Sequence, residues 1–506
     1  MTSFHPHNYI LNYESCLDAL KLKPGDRALQ HQLVLSLARA GALDFASSEY
    51  RRFGLNDVTE NEDIMALKGR LSKDLYLKSS GAAAHSHAKD AADAYESAFQ
   101  STGGFYSGIN SASMALMAEL PDEIIQERIE AVKARLPPAE ALTAEDHYFI
   151  EATRAECFLL RGDMSNALRS LRSAINFDPL NYSAHATTLK QFRMIGEKRN
   201  TEYKWLSEFN PPLPIHFAGR IRLAHDEIQS RELQLSISDM IQKKDIGSGF
   251  GSLAAGGDIL VAEAILGEGG HLHVIFPSSP AVFLEHSVRP FGADWVKRYQ
   301  ACLEQAASVT IIAENGLWPN PDINRLSGLF AMGQAILAAR IFNVEPGQIL
   351  IYGEDNSSSY TAVHANDWSA TKFAQWILPS GSDGVIAETD RALPNIFPCR
   401  LQSSTSPRVS DFQTPQLALG SAFQMRKKHP NANIALHMNI PGEDANKVLE
   451  IMLDDGLPNG ILISEVVASL LAYGGADRFD MTYAGTLETA DGTAQRCYTV
   501  RPSQSL

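Results

Sequence analysis

The residues with the clearest chemical potential lie in one glycine-rich run, Gly247-Ser248-Gly249-Phe250-Gly251-Ser252-Leu253-Ala254-Ala255-Gly256-Gly257-Asp258, followed by a helical stretch that carries Glu263. Glycines let backbone N–H groups approach a phosphate closely, and the N-terminus of the next helix adds partial positive charge. Asp258 and Glu263 are the carboxylates within reach. A carboxylate can steady an oxocarbenium-like centre or activate a nucleophile, which is what cleavage of an N-glycosidic bond requires. Gly249 to Ala254 also fits Gly-x-Gly-x-x-Ala, but Gln242-Lys243-Lys244-Asp245 does not read as the buried strand that should precede a dinucleotide fingerprint, and no Walker pattern occurs. Two plainer readings stand beside these: Asp258 as the N-cap of the helix that follows, and the whole run as a structural turn.

The elements that position this run begin after Asn210-Pro211-Pro212-Leu213-Pro214, which stops any helix. Strands are expected at 215–219, 272–277, 309–313 and 348–352, with helices at 223–243, 294–307 and 326–342. Strands separated by helical runs imply a parallel sheet covered on both faces, with ligands beyond the carboxyl ends of the strands. His271 and His273 would share one face of a strand, but no Cys or carboxylate stands at a supporting spacing, so no metal site is expected.

Upstream, from Cys16 to about Leu206, apolar residues recur at three- and four-residue spacing. Leu160-Arg161-Gly162-Asp163, then Ala167-Leu168, Leu171 and Ala174-Ile175, closing on Asp178-Pro179, read as a tetratricopeptide-type hairpin. A further pair of helices is expected around Gly41. Hairpins of this kind bury their apolar faces by stacking and leave a concave surface for a partner. Ser101 to Ala112 contains Gly103-Gly104 and Gly108-Ile109-Asn110; the glycines suit a tight corner, and Asn110 is expected to cap a helix beginning near Ser111.

Downstream, strand, helix, strand, helix and two closing strands are expected from Ile434 to Val500, an α+β pattern, preceded by a partly irregular link over Ser380–Thr414. A chain of 506 residues divides naturally into about three cores. The expected units are a helical array over 1–208, a Rossmann-like domain over 212–378, and a linker with an α+β domain over 379–506.

Lys and Arg total 44 against 59 Asp and Glu, a net charge of −15, and no basic patch larger than Arg426-Lys427-Lys428 interrupts it, so nucleic acid is not an expected partner. Five dispersed cysteines without a Cys-x-x-Cys pair fit reduced thiols, and no apolar run of membrane-spanning or signal-peptide length occurs, so a cytoplasmic protein without membrane contact is expected.

Three resemblances refine these expectations. The segment around Gly108-Ile109-Asn110 resembles the central region of the apoptosis signal-regulating kinases, a TRAFs-binding region with bacterial counterparts, across roughly residues 15–205. Gly249 to Ala264, continued by Asp294-Trp295-Val296, resembles the Rossmann-like superfamily of nucleoside deoxyribosyltransferases and lonely-guy phosphoribohydrolases. That resemblance implies that Gly219, Gly249, Gly251, Ser252, Gly256 and Gly257 surround a nucleotide, with Asp258 or Glu263 as the acidic group. This chain has Ala218-Gly219-Arg220 where such relatives end their first strand Ser-Gly-His, and Ala255-Gly256-Gly257-Asp258 where they have Cys-Gly-Ala-Asp. From Ile434 onward the chain resembles the second half of class III nucleotide cyclases. Asn446 fits their catalytic Asn, but Glu450 stands where their Arg belongs and no metal-binding segment precedes residue 430; an anion at a phosphate site opposes catalysis.

The expectation is therefore a signalling or stress sensor or scaffold. Helical repeats bind an unidentified protein partner, the middle domain binds a nucleotide-like small molecule, and the degenerate cyclase-like tail is a candidate homodimerisation module. The alternative is a nucleotide or nucleoside hydrolase or transferase using Asp258 or Glu263. Neither reading calls for a cofactor.

Overall fold

The structure is a computed structural model that describes residues 7–137, 143–201, 203–221, 227–315, 319–351, 360–379, 397–458, 460–475, 478–488 and 494–503. It divides into two compact units, one of residues 1–210, 455–460 and 480–506, the other of residues 211–454 and 461–479.

The first unit holds helices α1 (Tyr9–Leu22), α2 (Arg27–Arg39), α3 (Leu43–Arg52), α4 (Glu62–Tyr76), α5 (Gly81–Thr102), α6 (Phe105–Met117), α7 (Asp122–Arg135), α8 (Ala144–Leu160), α9 (Met164–Phe177) and α10 (Tyr182–Arg199). Consecutive helices pack in pairs, α1 on α2, α4 on α5 and α8 on α9, and the even-numbered helices touch one another in turn, α2 with α4, α4 with α6, α6 with α8 and α8 with α10. This is the stacking that lets hairpins with one apolar face close a common core. The expected hairpin corners are present: Gly41 and Gly162 adopt left-handed φ of 82° and 78° between their helices. Helix α6 departs from the expectation. It begins at Phe105 with Gly104 as its N-cap, so Asn110 lies mid-helix and caps nothing. The reason is the compactness of the corner: Gly103, left-handed at φ 73°, ends α5, and the next helix starts two residues later.

In the second unit the first sheet is wholly parallel, in the order β4-β3-β2-β1-β5-β6. Its strands are β1 (Leu213–Gly219), β2 (Ile246–Gly251), β3 (His271–Phe276), β4 (Ser308–Ile311), β5 (Gly347–Ile351) and β6 (Ala374–Leu378). Between them run α11 (Glu227–Lys243), α12 (Gly257–Gly267), α13 (Pro280–Ser287), α14 (Ala293–Glu304), α15 (Pro321–Phe342) and α16 (Tyr360–Ser369). The alternation of the strands buries both faces: Ile215, Phe217, Ile349 and Ile351 join Ile259 and Leu260 of α12 in one core, while Ala218 and Leu350 pack on Ala365 of α16. The chain steps outward from β1 to β4, then returns to lay β5 on the other side of β1. That reversal is a topological switch point at the carboxyl ends of β1 and β5.

The glycine run proves to be a strand over its first half. Residues 246–251 form β2, buried and paired with both β1 and β3. A strand of glycines lacks the apolar signature that the sequence reading required, yet the packing demands it: a β-carbon on Gly249 would lie 2.3 Å from Ile265 Cδ1 of α12.

The remainder of this unit contains β7 (Cys399–Ser403), β8 (Ser406–Phe412), α17 (Pro415–Lys428), β9 (Ile434–Met438), α18 (Ala445–Asp454), β10 (Ile461–Ser464) and α19 (Glu465–Tyr473), with strands ordered β10-β9-β7-β8. Within the partly irregular link expected over Ser380–Thr414, β7 and β8 form an unforeseen antiparallel hairpin that buries Cys399, Leu401 and Ser403 on alternate positions; residues 380–396 lie outside the described residues. The last strands, β11 (Phe479–Glu488) and β12 (Ala494–Pro502), neighbour one another. Their residues from 480 on group with the helical array.

Candidate functional site

Asp258 stands in the first turn of α12, buried to 4% exposure, and ties together the segments at the carboxyl edge of the sheet. Its Oδ1 accepts the N–H of Gly219 at the end of β1 at 2.6 Å; its Oδ2 accepts the N–H of Ala254 at 3.2 Å and the Ser252 hydroxyl. Arg220 extends the arrangement through its backbone, donating to Ile351 O at the end of β5 at 2.8 Å and accepting from Gly257 N–H at 2.9 Å. Gly219, Ser252, Gly257 and Asp258 therefore converge at the switch point, where open α/β sheets bind ligands. The part played by the Arg220 backbone went unrecognised in the sequence, which carries no signal for a main-chain bridge.

The hydrogen bonds to Asp258 favour the carboxylate, but burial outweighs them and pushes its carboxyl up to about 6. Asp258 does not cap α12: the N-cap is Gly256, at φ 114°, and the donors to Asp258 come from outside the helix. An anion in the first turn is nonetheless favourable there, because it faces the positive end of the helix.

The glycines have a structural cause. A β-carbon on Gly219 would lie 2.4 Å from Gly257 Cα, so β1 and α12 approach backbone to backbone at this point. Gly249 and Gly251 lie within β2 rather than in a loop. Of the residues expected to surround a ligand, Gly219 and Ser252 are half-buried and Gly249, Gly251, Gly256 and Gly257 are buried. Glu263 is elsewhere on α12: its carboxylate forms a two-pronged pair with Arg298 of α14, Nε to Oε1 at 2.8 Å, and that guanidinium lies 4.3 Å over the Trp295 ring. Five residues along a helix turn a side chain well away from its predecessor, so Asp258 and Glu263 do not share a site.

In the second sheet, Asn446 accepts a hydrogen bond from Arg400 Nη1 at 3.1 Å, and Arg400 is paired with Asp411. His273 stacks on Phe250 and bonds the Ser308 hydroxyl at 2.8 Å. The described cysteines are all buried, and none of them forms a disulfide. Among the described residues, no helix is long and apolar enough to cross a membrane.

Residues 11–115, from α1 into α6, match the family described as Tetratricopeptide Repeats-Sensor. Among solved structures, the chain is similar to a thermophilic tetratricopeptide-repeat protein of Thermus thermophilus, at 13% identity and a TM-score of 0.30 over 37% of this chain and 91% of that one. It is also similar to a tetratricopeptide-repeat protein of Parabacteroides merdae, at 11% identity and a TM-score of 0.27 over 58% of this chain and 92% of that one. No curated protein matches. The N-terminal helices are thus tetratricopeptide-like repeats, an architecture that serves protein interaction.

Proposed function

We propose that this chain is a cytoplasmic sensor-scaffold. Its tetratricopeptide-like array engages a protein partner, and the carboxyl edge of its doubly wound, Rossmann-like sheet receives a nucleotide-like ligand without turning it over. The observation that carries the ligand reading is the convergence of Gly219, Ser252 and the N-terminus of α12 on Asp258 at the switch point. Binding without turnover is favoured because both oxygens of Asp258 are engaged in holding backbone and hydroxyl donors, and because Glu263 is held by Arg298. The cyclase-like reading of the last segment keeps its non-catalytic form: Arg400 holds Asn446, and Glu450 would oppose a phosphate. Pairing of two copies through 379–506 belongs to the same proposal and is tested by the mass of the chain in light scattering.

One observation favours the alternative of N-glycosidic cleavage. A carboxyl raised to about 6 is suited to proton transfer near neutrality.

The test is a thermal-shift screen of the full chain against nucleotides and NAD-derived metabolites, followed by chromatography of each hit after incubation. A ligand at 100 times its Kd adds about 2.7 kcal/mol to the unit that binds it. Substituting Gly256 or Gly257 would disturb the fold itself, so Ser252→Ala is the informative variant. A shift weakened by Ser252→Ala, with the ligand recovered intact, supports the sensor; release of free base selects the enzyme; absence of any shift removes the ligand reading.

A further inference from the structure

The even-numbered helices of the array gather positive charge at one place, in a chain whose net charge is −15. Arg70, Lys73 and Asp74 stand at i, i+3 and i+4 on one face of α4, and Lys78 follows just beyond its end. Lys190 of α10 and Arg39, the last residue of α2, join them. Lys73 lies in the field of Arg70 and Lys190, Asp74 in that of Arg70, Lys73, Lys78 and Lys190, and Arg39 in that of Arg70. Residues so remote in sequence act on one another electrostatically because the even-numbered helices form one continuous layer.

Among the described residues the anions acting on this cluster, Asp74, Glu156 and, on Lys78, Asp480, are fewer than its cations. Glu156 of α8 is engaged by the Ser113 hydroxyl and by Gln191 Nε2 at 2.9 Å. Asp74 lies 3.7 Å from Arg70 Nε, too far for a hydrogen bond, and that Nε is buried without a hydrogen-bond partner among the described residues. The Lys73 ammonium donates to the neutral amide of Asn110 at 2.8 Å, and Asn110 in turn donates to Tyr106 O at 2.9 Å, which aims its carbonyl at the lysine. Burial lowers the Lys73 pKa, so the cation is held at a cost. The cluster is nonetheless open on one side: Arg70, Lys73, Asp74 and Lys78 are half-buried, while Arg39 and Lys190 are exposed at its rim.

We propose that this cluster is a binding site for a compact polyanion, a small molecule carrying two or more phosphate groups, with Arg70, Lys73, Lys78 and Lys190 as its ligands. A compact anion fits better than an acidic peptide. The cations act on one common point, the surroundings of Asp74, whereas an extended peptide advances about 3.3 Å per residue and needs its countercharges spread along a track. Displacing water from Lys73 and completing the hydrogen bonds of Arg70 supply the affinity. This site belongs to the first unit and does not rest on the ligand reading of the carboxyl edge.

The test is isothermal titration of the full chain with inorganic triphosphate, in parallel with a hexaglutamate peptide; the variants below tell this site from the carboxyl edge. Triphosphate should bind, more weakly at higher salt, and Lys73→Met should reduce the affinity by about tenfold. Lys190→Met changes an exposed side chain and should weaken binding even if Lys73→Met fails to fold. Lys243→Met, an exposed lysine paired with Asp239 in the second unit, should leave it unchanged. Absence of triphosphate binding at millimolar concentration, binding indifferent to both Lys73→Met and Lys190→Met, or tighter binding of hexaglutamate than of triphosphate overturns the proposal.

Discussion

Burial shifts Asp258 upward and His216 and His364 downward, which makes residue-scale predictions separable. The folded-state pKa of Asp258, about 6, lies above the usual carboxylate value, so its favourable contribution is complete below about pH 4 and is lost as pH rises through 6. Wild type should therefore lose up to about 3 kcal/mol relative to Asp258→Asn between pH 4 and pH 7, read as the difference in thermal midpoint of the second unit. His364 of α16, beside His216 of β1 and facing α15, is pushed by burial down to about 4. Its contribution is present above about pH 6.5 and lost as pH falls toward 4, so the wild-type profile alone mixes the two effects and the variant isolates one. For Glu263 the expectation is small. Its pair with Arg298 is partly exposed, at 34% and 22%, and Glu263→Gln should cost less than about 1 kcal/mol in urea unfolding and leave ligand shifts intact. A loss of turnover without loss of stability would instead give Glu263 a catalytic role.

At the scale of elements, the contact between β1 and α12 is the least tolerant point of the candidate site. Gly219→Ala places a methyl 2.4 Å from backbone and should abolish the cooperative transition of the second unit or lower it by several kcal/mol, whereas Gly267→Ala, at the open end of the same helix, should be neutral or stabilising by up to about 1 kcal/mol. Circular dichroism melts of the two variants make the comparison. These elements were unequally legible. Strands β1, β3 and β5 and helices α14 and α15 carry apolar runs bounded by Gly, Pro and Asn, and their residues announce them. Strand β2 is not legible because glycine has no side chain to display a period, nor are β7 and β8, because Ser, Thr and Pro there mimic a linker. Asn110, a residue type that favours helix caps, lies instead in the interior of a helix that starts immediately after Gly103-Gly104, bonded to Lys73.

For the whole molecule, the C-terminal strands are part of the unit that begins the chain. The Thr499 hydroxyl donates to Ala40 O, Asn8 Nδ2 donates to Thr486 O at 3.1 Å, and Gly485, at φ 147°, leaves no room for a β-carbon beside Asn8. Gly41 faces Thr499 and Thr482 at similarly short range. The prediction is that Thr499→Val, nearly isosteric but without the donor, lowers the stability of the helical array by about 1 kcal/mol, and that Gly41→Ala, strained at φ 82° and crowded, lowers it further. Far-UV circular dichroism with heating reads both; unchanged midpoints would mean that the hairpin contributes nothing to the array.

By itself the sequence determined the local periods: helices with one apolar face through residue 206, then strands alternating with helices, and an acidic surface that disfavours nucleic acid. Those follow from side-chain chemistry within a few positions. Tertiary structure decided which distant groups meet. It put Asp258 against Gly219 rather than Glu263, returned β5 to the far side of β1 to create the switch point, joined residues beyond 480 to the helices at the start, and brought Arg39 of α2 and Lys190 of α10 into the field of Arg70 and Lys73 of α4. Each of these depends on how layers stack and where the chain crosses, and none is encoded in the spacing of neighbouring residues.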